Sequence, residues 1–117
     1  MRGAYTYIMA NNPRGTFYVG VTSDLIRRVW QHKSGETGGF TSRYGIRSLV
    51  YYECLGDMSA AIAREKVLKR WRRSWKISLV TGFNPDWRDL YDDIIGTPDG
   101  TSRAEVASSW MPDRGPA

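Results

Sequence analysis

Arg28 and His32 stand four residues apart, just after a run in which Tyr18 precedes Gly20 by two positions. If residues 24–33 are helical, the guanidinium and the imidazole share one face of that helix. A guanidinium is a forked, permanently charged donor suited to anionic oxygens, and an imidazole exchanges its proton near neutral pH. Residues 16–22 (TFYVGVT) alternate Phe17, Val19 and Val21 with Thr16, Tyr18, Gly20 and Thr22. A strand there has one apolar face and one face carrying a phenol beside a bare glycine. Tyr7, Glu65 and Asn84 complete the set of candidate residues. Proton transfer beside a bound anion is the chemistry such residues could perform together.

The elements that must hold them are legible as local patterns. Residues 5–10 (YTYIMA) and 16–22 are rich in aromatic and β-branched types, and the NNPRG between them is turn chemistry, which predicts a hairpin. Ser23 or Thr22 is the expected N-cap of a first helix over residues 24–33, with Asp24 favourably placed at its positive end. Leu25, Val29 and Trp30 are expected to face the core, and SGETGG ends the helix. A third strand is predicted over residues 48–54. A long second helix should run from about Ser59 to Trp75, with Ala60, Val67, Leu68, Trp71 and Trp75 on its core stripe. On that helix Glu65 falls at the margin of the stripe, where a carboxylate can point into a cleft, while Arg64 falls inside the stripe with no local reason. KISLV suggests a third helix, and in NPDWRDLY the Asn84-Pro85 pair reads as an N-cap and first position of a short one.

The chain has 117 residues, 17 Lys and Arg against 12 Asp and Glu, and a net charge of +5, with basic residues crowded into positions 64–76. One compact domain with a polyanionic partner is the expectation. Cys54 is the single cysteine, which excludes an internal disulfide and a four-cysteine zinc site. No window approaches the about 20 apolar residues of a membrane span, so a soluble, cytoplasmic protein is expected, with no membrane partner. The domain should cover residues 1–95. Residues 96–117 hold six Gly or Pro and no sustained period, and are expected to form a poorly ordered tail.

The triplets Tyr5-Thr6-Tyr7 and Tyr18-Val19-Gly20, with the spacing onward to Arg28, His32, Glu65 and Asn84, resemble the signature of the GIY-YIG nuclease superfamily. YVGVTSDLIRRVWQH, FTSRYGIRSLVYYE, AREKVLKRW and FNPDWRDLY are similar to its small single-domain group, related to the nuclease domain of the bacterial excision-repair incision subunit. The likeness covers residues 4–91. In the first triplet Tyr5 and Thr6 stand where the family name has Gly and Ile, while Tyr7 is kept.

This resemblance implies an α/β fold: a small three-stranded, mainly antiparallel sheet flanked by helices in the order β-β-α-β-α-α. It also implies a metal-dependent endonuclease hydrolysing DNA phosphodiesters, on structured, damaged or single-stranded DNA in repair or recombination. Glu65 would hold one Mg²⁺ or Mn²⁺ ion, Arg28 the scissile phosphate, and Asn84 would order the site. Tyr18 would be the general base with Tyr7 beside it, or His32 would take or relay that proton; both assignments stand open. Arg28, Lys69, Arg72 and Arg73 would contact DNA, and a recruiting protein could supply further affinity.

Each residue also has a plainer reading. Strand tyrosines pack, a lone histidine caps or sits at the surface, Glu65 pairs with Lys69 one turn on, Asn84 caps a helix, and a basic run is a solvated face. A nucleic-acid-binding module with this frame but no useful turnover is the alternative function.

Overall fold

A computed structural model describes residues 1–12, 15–36 and 39–96. The expected tail from Thr97 onward lies outside the described residues. Strands β1 (Arg2–Ala10) and β2 (Phe17–Asp24) form the hairpin, followed by helices α1 (Leu25–Ser34) and α2 (Gly39–Arg43) and strand β3 (Ser48–Leu55). Helices α3 (Met58–Arg70), α4 (Arg73–Phe83) and α5 (Tyr91–Ile95) complete the described part. The sheet is antiparallel in the order β2-β1-β3, the α/β arrangement expected.

Strand β1 is central, and Ala4 to Ala10 are all buried. Burial on both faces explains why its sequence shows no polar alternation. Tyr5, Tyr7 and Met9 join Leu25 and Val29 of α1 and Ile94 of α5 in one cluster. Ile8 and Ala10 pack on the other face with Val19, Leu68 of α3 and Leu79 and Val80 of α4. Thr6, on that second face, donates its hydroxyl to the Ala61 carbonyl at 2.8 Å, which ties α3 to the central strand one turn before Glu65.

Several local expectations change in the folded chain. Asp24 is the N-cap of α1, accepting from the Arg27 N–H, because β2 runs two residues further than its apolar alternation suggested. Trp30 is 47% exposed and does not enter the core. At the other end Gly35 adopts a left-handed φ of 82° and stops α1, as the glycine-rich stretch implied. Helix α2 escaped the sequence reading, since five residues carry too little periodicity to register.

The long helix expected after Ser59 is two helices. Trp71 and Arg72 are extended, with ψ of 145° and 157°, and the chain turns there. The boundary expected between a helix ending at Trp75 and a third one over KISLV therefore falls earlier, between Arg70 and Arg73. The turn folds α4 back onto β3, and Trp71 meets Trp75 edge to face across it. In place of the Ala60 and Val67 stripe, Ala61 and Leu68 are the buried positions of α3, and Val67 is 41% exposed. Arg64 has a long-range partner: its Nε lies 3.2 Å from both carboxylate oxygens of Glu53 on β3, and its guanidinium stacks over Trp71.

Asn84 begins no helix. It closes α4, and residues 84–87 form a turn in which Trp87 takes a left-handed φ of 54°. The Asn84 amide donates to the Val50 carbonyl at 3.2 Å and the Arg88 carbonyl at 2.8 Å. Val50 is the extra residue where the register of β3 shifts, between the Ile8–Tyr51 and Met9–Leu49 pairs. At this irregularity the Val50 carbonyl takes its partner from Asn84. Asp89 and Leu90 extend the repair by bonding the Leu49 N–H and carbonyl. Replacing Asn84 by Ala strands the buried Val50 carbonyl and loosens the turn at Arg88, and should cost about 2 kcal/mol in urea unfolding, with the exposed Asp92→Ala nearly neutral. Equal midpoints for the two variants would show that Asn84 is not a structural tie.

Candidate active site

Tyr7 and Gly20 are directly opposed on neighbouring strands, and Tyr18 opposes Met9. With a two-residue side-chain period, this register puts Tyr7, Tyr18 and the space over Gly20, which the two phenols fill, on the α1 face of the sheet. Gly20 is required there. A Cβ at this position would lie 2.6 Å from Cζ and from the hydroxyl of Tyr7, and 2.9 Å from Cε2 of Tyr18. Any side chain at position 20 would push the two phenols out of place.

Helix α1 brings Arg28 and His32 over this space. Tyr18 lies 5.1 Å from His32 and 6.3 Å from Tyr7, ring centre to ring centre. The Tyr7 hydroxyl is 3.0 Å from His32 Nε2, and His32 Nδ1 is 3.2 Å from the Thr41 hydroxyl on α2. Tyr7 is wholly buried and His32 is 2% exposed, whereas Tyr18 and Arg28 are half-buried. The cluster thus has a closed end at Tyr7 and His32 and an open end at Tyr18 and Arg28.

Charge is distributed to match. Burial, and then the neighbouring phenol of Tyr18, push the Tyr7 hydroxyl well above its usual range; the Arg28 hydrogen bond pulls the other way, and Glu65 adds an upward push. Burial also works against the Arg28 cation, but its hydrogen bonds to Tyr7 and Tyr18 outweigh this and raise it. His32 is lowered to about 4 by burial and by the Arg28 charge, so at neutral pH it is an uncharged ring with one lone pair.

Glu65 comes from α3, which packs against β1 and β2. It is the carboxylate whose charge is felt at Tyr7. Its side chain is 16% exposed and sits 3.0 Å from the ammonium of exposed Lys69, the pair anticipated from their spacing. Among the described residues no group of three or more His, Cys, Asp or Glu side chains could enclose a metal ion. A single carboxylate fits an oxygen-preferring ion that keeps most of its waters, and no other kind. Asn84 stands apart, with its amide committed to backbone carbonyls.

Of the proposed DNA contacts, Lys69, Arg72 and Arg73 are exposed around the α3–α4 corner, where Arg72 stacks on Trp75 and Arg73 on Phe17. Two neighbours of the cluster were not singled out from the sequence. Gln31 accepts from Arg28 at 3.2 Å, and with Arg27, Arg28 and Thr22 it lines an open cavity of about 430 Å³. Thr41 bonds His32 from an element that left no periodic trace.

The GIY-YIG catalytic domain family model matches residues 3–78. A UPF0213 protein of Haloquadratum walsbyi is 36% identical over 75 residues, covering 64% of this chain and 83% of that protein. A UPF0213 protein of Aeromonas salmonicida is 32% identical over 88 residues, 74% of this chain and 63% of the relative. The solution NMR structure of a UPF0213 protein from Bacillus halodurans aligns over 76% of this chain and 94% of its own, with 27% identity and a TM-score of 0.47. With more than half of its length matched by the family model, the chain belongs to the GIY-YIG catalytic domain family.

Proposed function

We propose that this domain is a metal-dependent endonuclease that hydrolyses phosphodiester bonds in DNA, acting in the cytoplasm on structured, damaged or single-stranded DNA of repair or recombination. One observation carries the reading: a single guanidinium, Arg28, stands beside both strand phenols, and its charge reaches them at the open end of a buried, hydrogen-bonded Tyr7–His32 pair. A fixed cation beside groups that can pass a proton is what hydrolysis of an anionic ester requires.

Arg28 holds the scissile phosphate with paired N–H donors and stabilises the charge that grows on its oxygens during attack. Tyr18, half-exposed, is the phenol within reach of an attacking water: as the phenolate beside the Arg28 cation, its oxygen takes one water proton while the water oxygen bonds to phosphorus and the leaving oxygen departs. His32 is buried and engaged through both ring nitrogens, so it acts behind the phenols, orienting the Tyr7 hydroxyl and taking no proton from water. Glu65 would hold a hydrated Mg²⁺ or Mn²⁺, which would neutralise charge at the phosphate and at the leaving oxygen. Lys69, Arg72 and Arg73 would follow the DNA backbone, with an affinity that falls as salt rises.

The test is cleavage of single-stranded, nicked, branched and duplex DNA with Mg²⁺ or Mn²⁺, wild type beside Glu65→Ala. Wild type should cut and the variant, still folded by circular dichroism, should not. Binding without cutting in both proteins would sink the nuclease reading and leave a nucleic-acid-binding module. Arg28→Lys replaces the fork by a point charge and should lower turnover roughly 10²-fold; wild-type rates in this variant would remove the phosphate clamp.

The lowered basicity of His32 has a pH signature. Between about pH 6.5 and 4 the unfolded imidazole binds a proton that the folded one does not. Stability is therefore full above about pH 6.5 and declines as the pH falls towards 4. His32 is the only histidine, so its ring resonances can be followed without assignment, and their midpoint should fall near pH 4. A midpoint near 6.5 would mean that the ring is open to water.

A further inference from the structure

Both ring nitrogens of His32 face a hydroxyl group: Nε2 faces Tyr7 at 3.0 Å and Nδ1 faces Thr41 at 3.2 Å. A neutral imidazole has one N–H and one lone pair, and each hydroxyl can donate or accept. Two arrangements are therefore possible, and they differ in chemistry. Either Nδ1 carries the proton and Tyr7 donates to Nε2, or Nε2 carries it and Thr41 donates to Nδ1.

The burial of Tyr7 decides between them. If Nε2 donated, the phenol proton of a wholly buried side chain would lack the acceptor that Nε2 provides at 3.0 Å. With the proton on Nδ1, Tyr7 donates to Nε2 and Nδ1–H donates to Thr41. The Thr41 oxygen is the acceptor that this arrangement needs, and Thr41 is 3% exposed, so water does not replace it.

We propose that Thr41 is a positioning residue, which holds His32 in the Nδ1-protonated form so that the Nε2 lone pair faces the Tyr7 hydroxyl. This assignment deepens the role given above to Tyr7, Arg28 and His32 and rests on it for its catalytic meaning. What it prepares is an orientation, with no proton leaving Tyr7: the Tyr7 O–H is directed to Nε2, and its oxygen keeps its lone pairs for the open end of the site. Without the Thr41 hydroxyl, Nδ1–H loses the acceptor it has at 3.2 Å, and the balance between the two ring positions shifts towards Nε2.

The single histidine makes the test direct. Long-range ¹H–¹⁵N correlation of the ¹⁵N-labelled protein, without metal or DNA, distinguishes a protonated from an unprotonated ring nitrogen. Wild type should show Nδ1 protonated and Nε2 bare at pH 7. Thr41→Val should move the pattern towards protonated Nε2 and lower the cleavage rate roughly tenfold with little change in KM; Thr41→Ser should restore both. A protonated Nε2 in wild type, or an unchanged pattern in Thr41→Val, would overturn the proposal. If Thr41→Val does not fold, the wild-type pattern and Thr41→Ser still decide. Failure to cut any DNA would count against the nuclease reading alone, because the ring is read in the resting protein.

Discussion

The Tyr7 oxygen is the point on which the rest of this molecule converges. It lies against a glycine that has no room for a methyl group, feels the charge of a guanidinium, and faces an imidazole, all within a shell closed to solvent. Three elements must meet to hold it there: β1 supplies the phenol, β2 the clearance, and α1 both the cation and the ring. A shift of one residue between β1 and β2 would turn Tyr7 to the opposite face. The continuous burial of β1 and its pairing on both sides prevent that shift, so the rigidity of the central strand is as much a part of the site as the side chains are.

Around this point the two faces of the sheet do different work. The α1 face carries the phenols, and the α3 face carries the apolar packing of Ile8, Val19, Leu68 and Val80. Glu65 belongs to a helix on the packing side, positioned through Ala61 by the bond from Thr6. A threonine in the middle of the first triplet thus has a physical role, since an isoleucine there could not make this bond. The part-buried Arg64–Glu53 pair adds a second tie between α3 and the sheet. Breaking one partner of such a pair leaves the other charge without compensation, which favours keeping both.

What could be read from the sequence was whatever depends on short, fixed periods. The alternation in residues 16–22 put Tyr18 and Gly20 on one face, and a separation of four put Arg28 beside His32. Both relations are dictated by backbone geometry alone. The Glu65–Lys69 pair was legible for the same reason. Relations between distant parts of the chain were not. Arg64 looked misplaced in an apolar stripe because Glu53 is on another element, and Asn84 looked like a helix start because its partners, Val50 and Arg88, cannot be seen from the Asn-Pro pair. The break at Trp71 is likewise a tertiary effect, since a helical pattern continues through residues that must turn to stay on the sheet. Thr41 was invisible because its significance depends on a ring nine positions away, reached across a five-residue helix.

The seam formed by Asn84, Asp89 and Leu90 along β3 has a consequence for solubility. An outer strand normally presents a row of open N–H and carbonyl groups to which a strand of another molecule can add. Here the following segment of the same chain occupies part of that row, at Leu49 and Val50, around the irregularity where the ladder is weakest. The site where intermolecular strand addition would find least resistance is thereby already filled. Residues 84–90, irregular and outwardly a mere connection between helices, act as a guard against aggregation for the sheet on which the tyrosines stand.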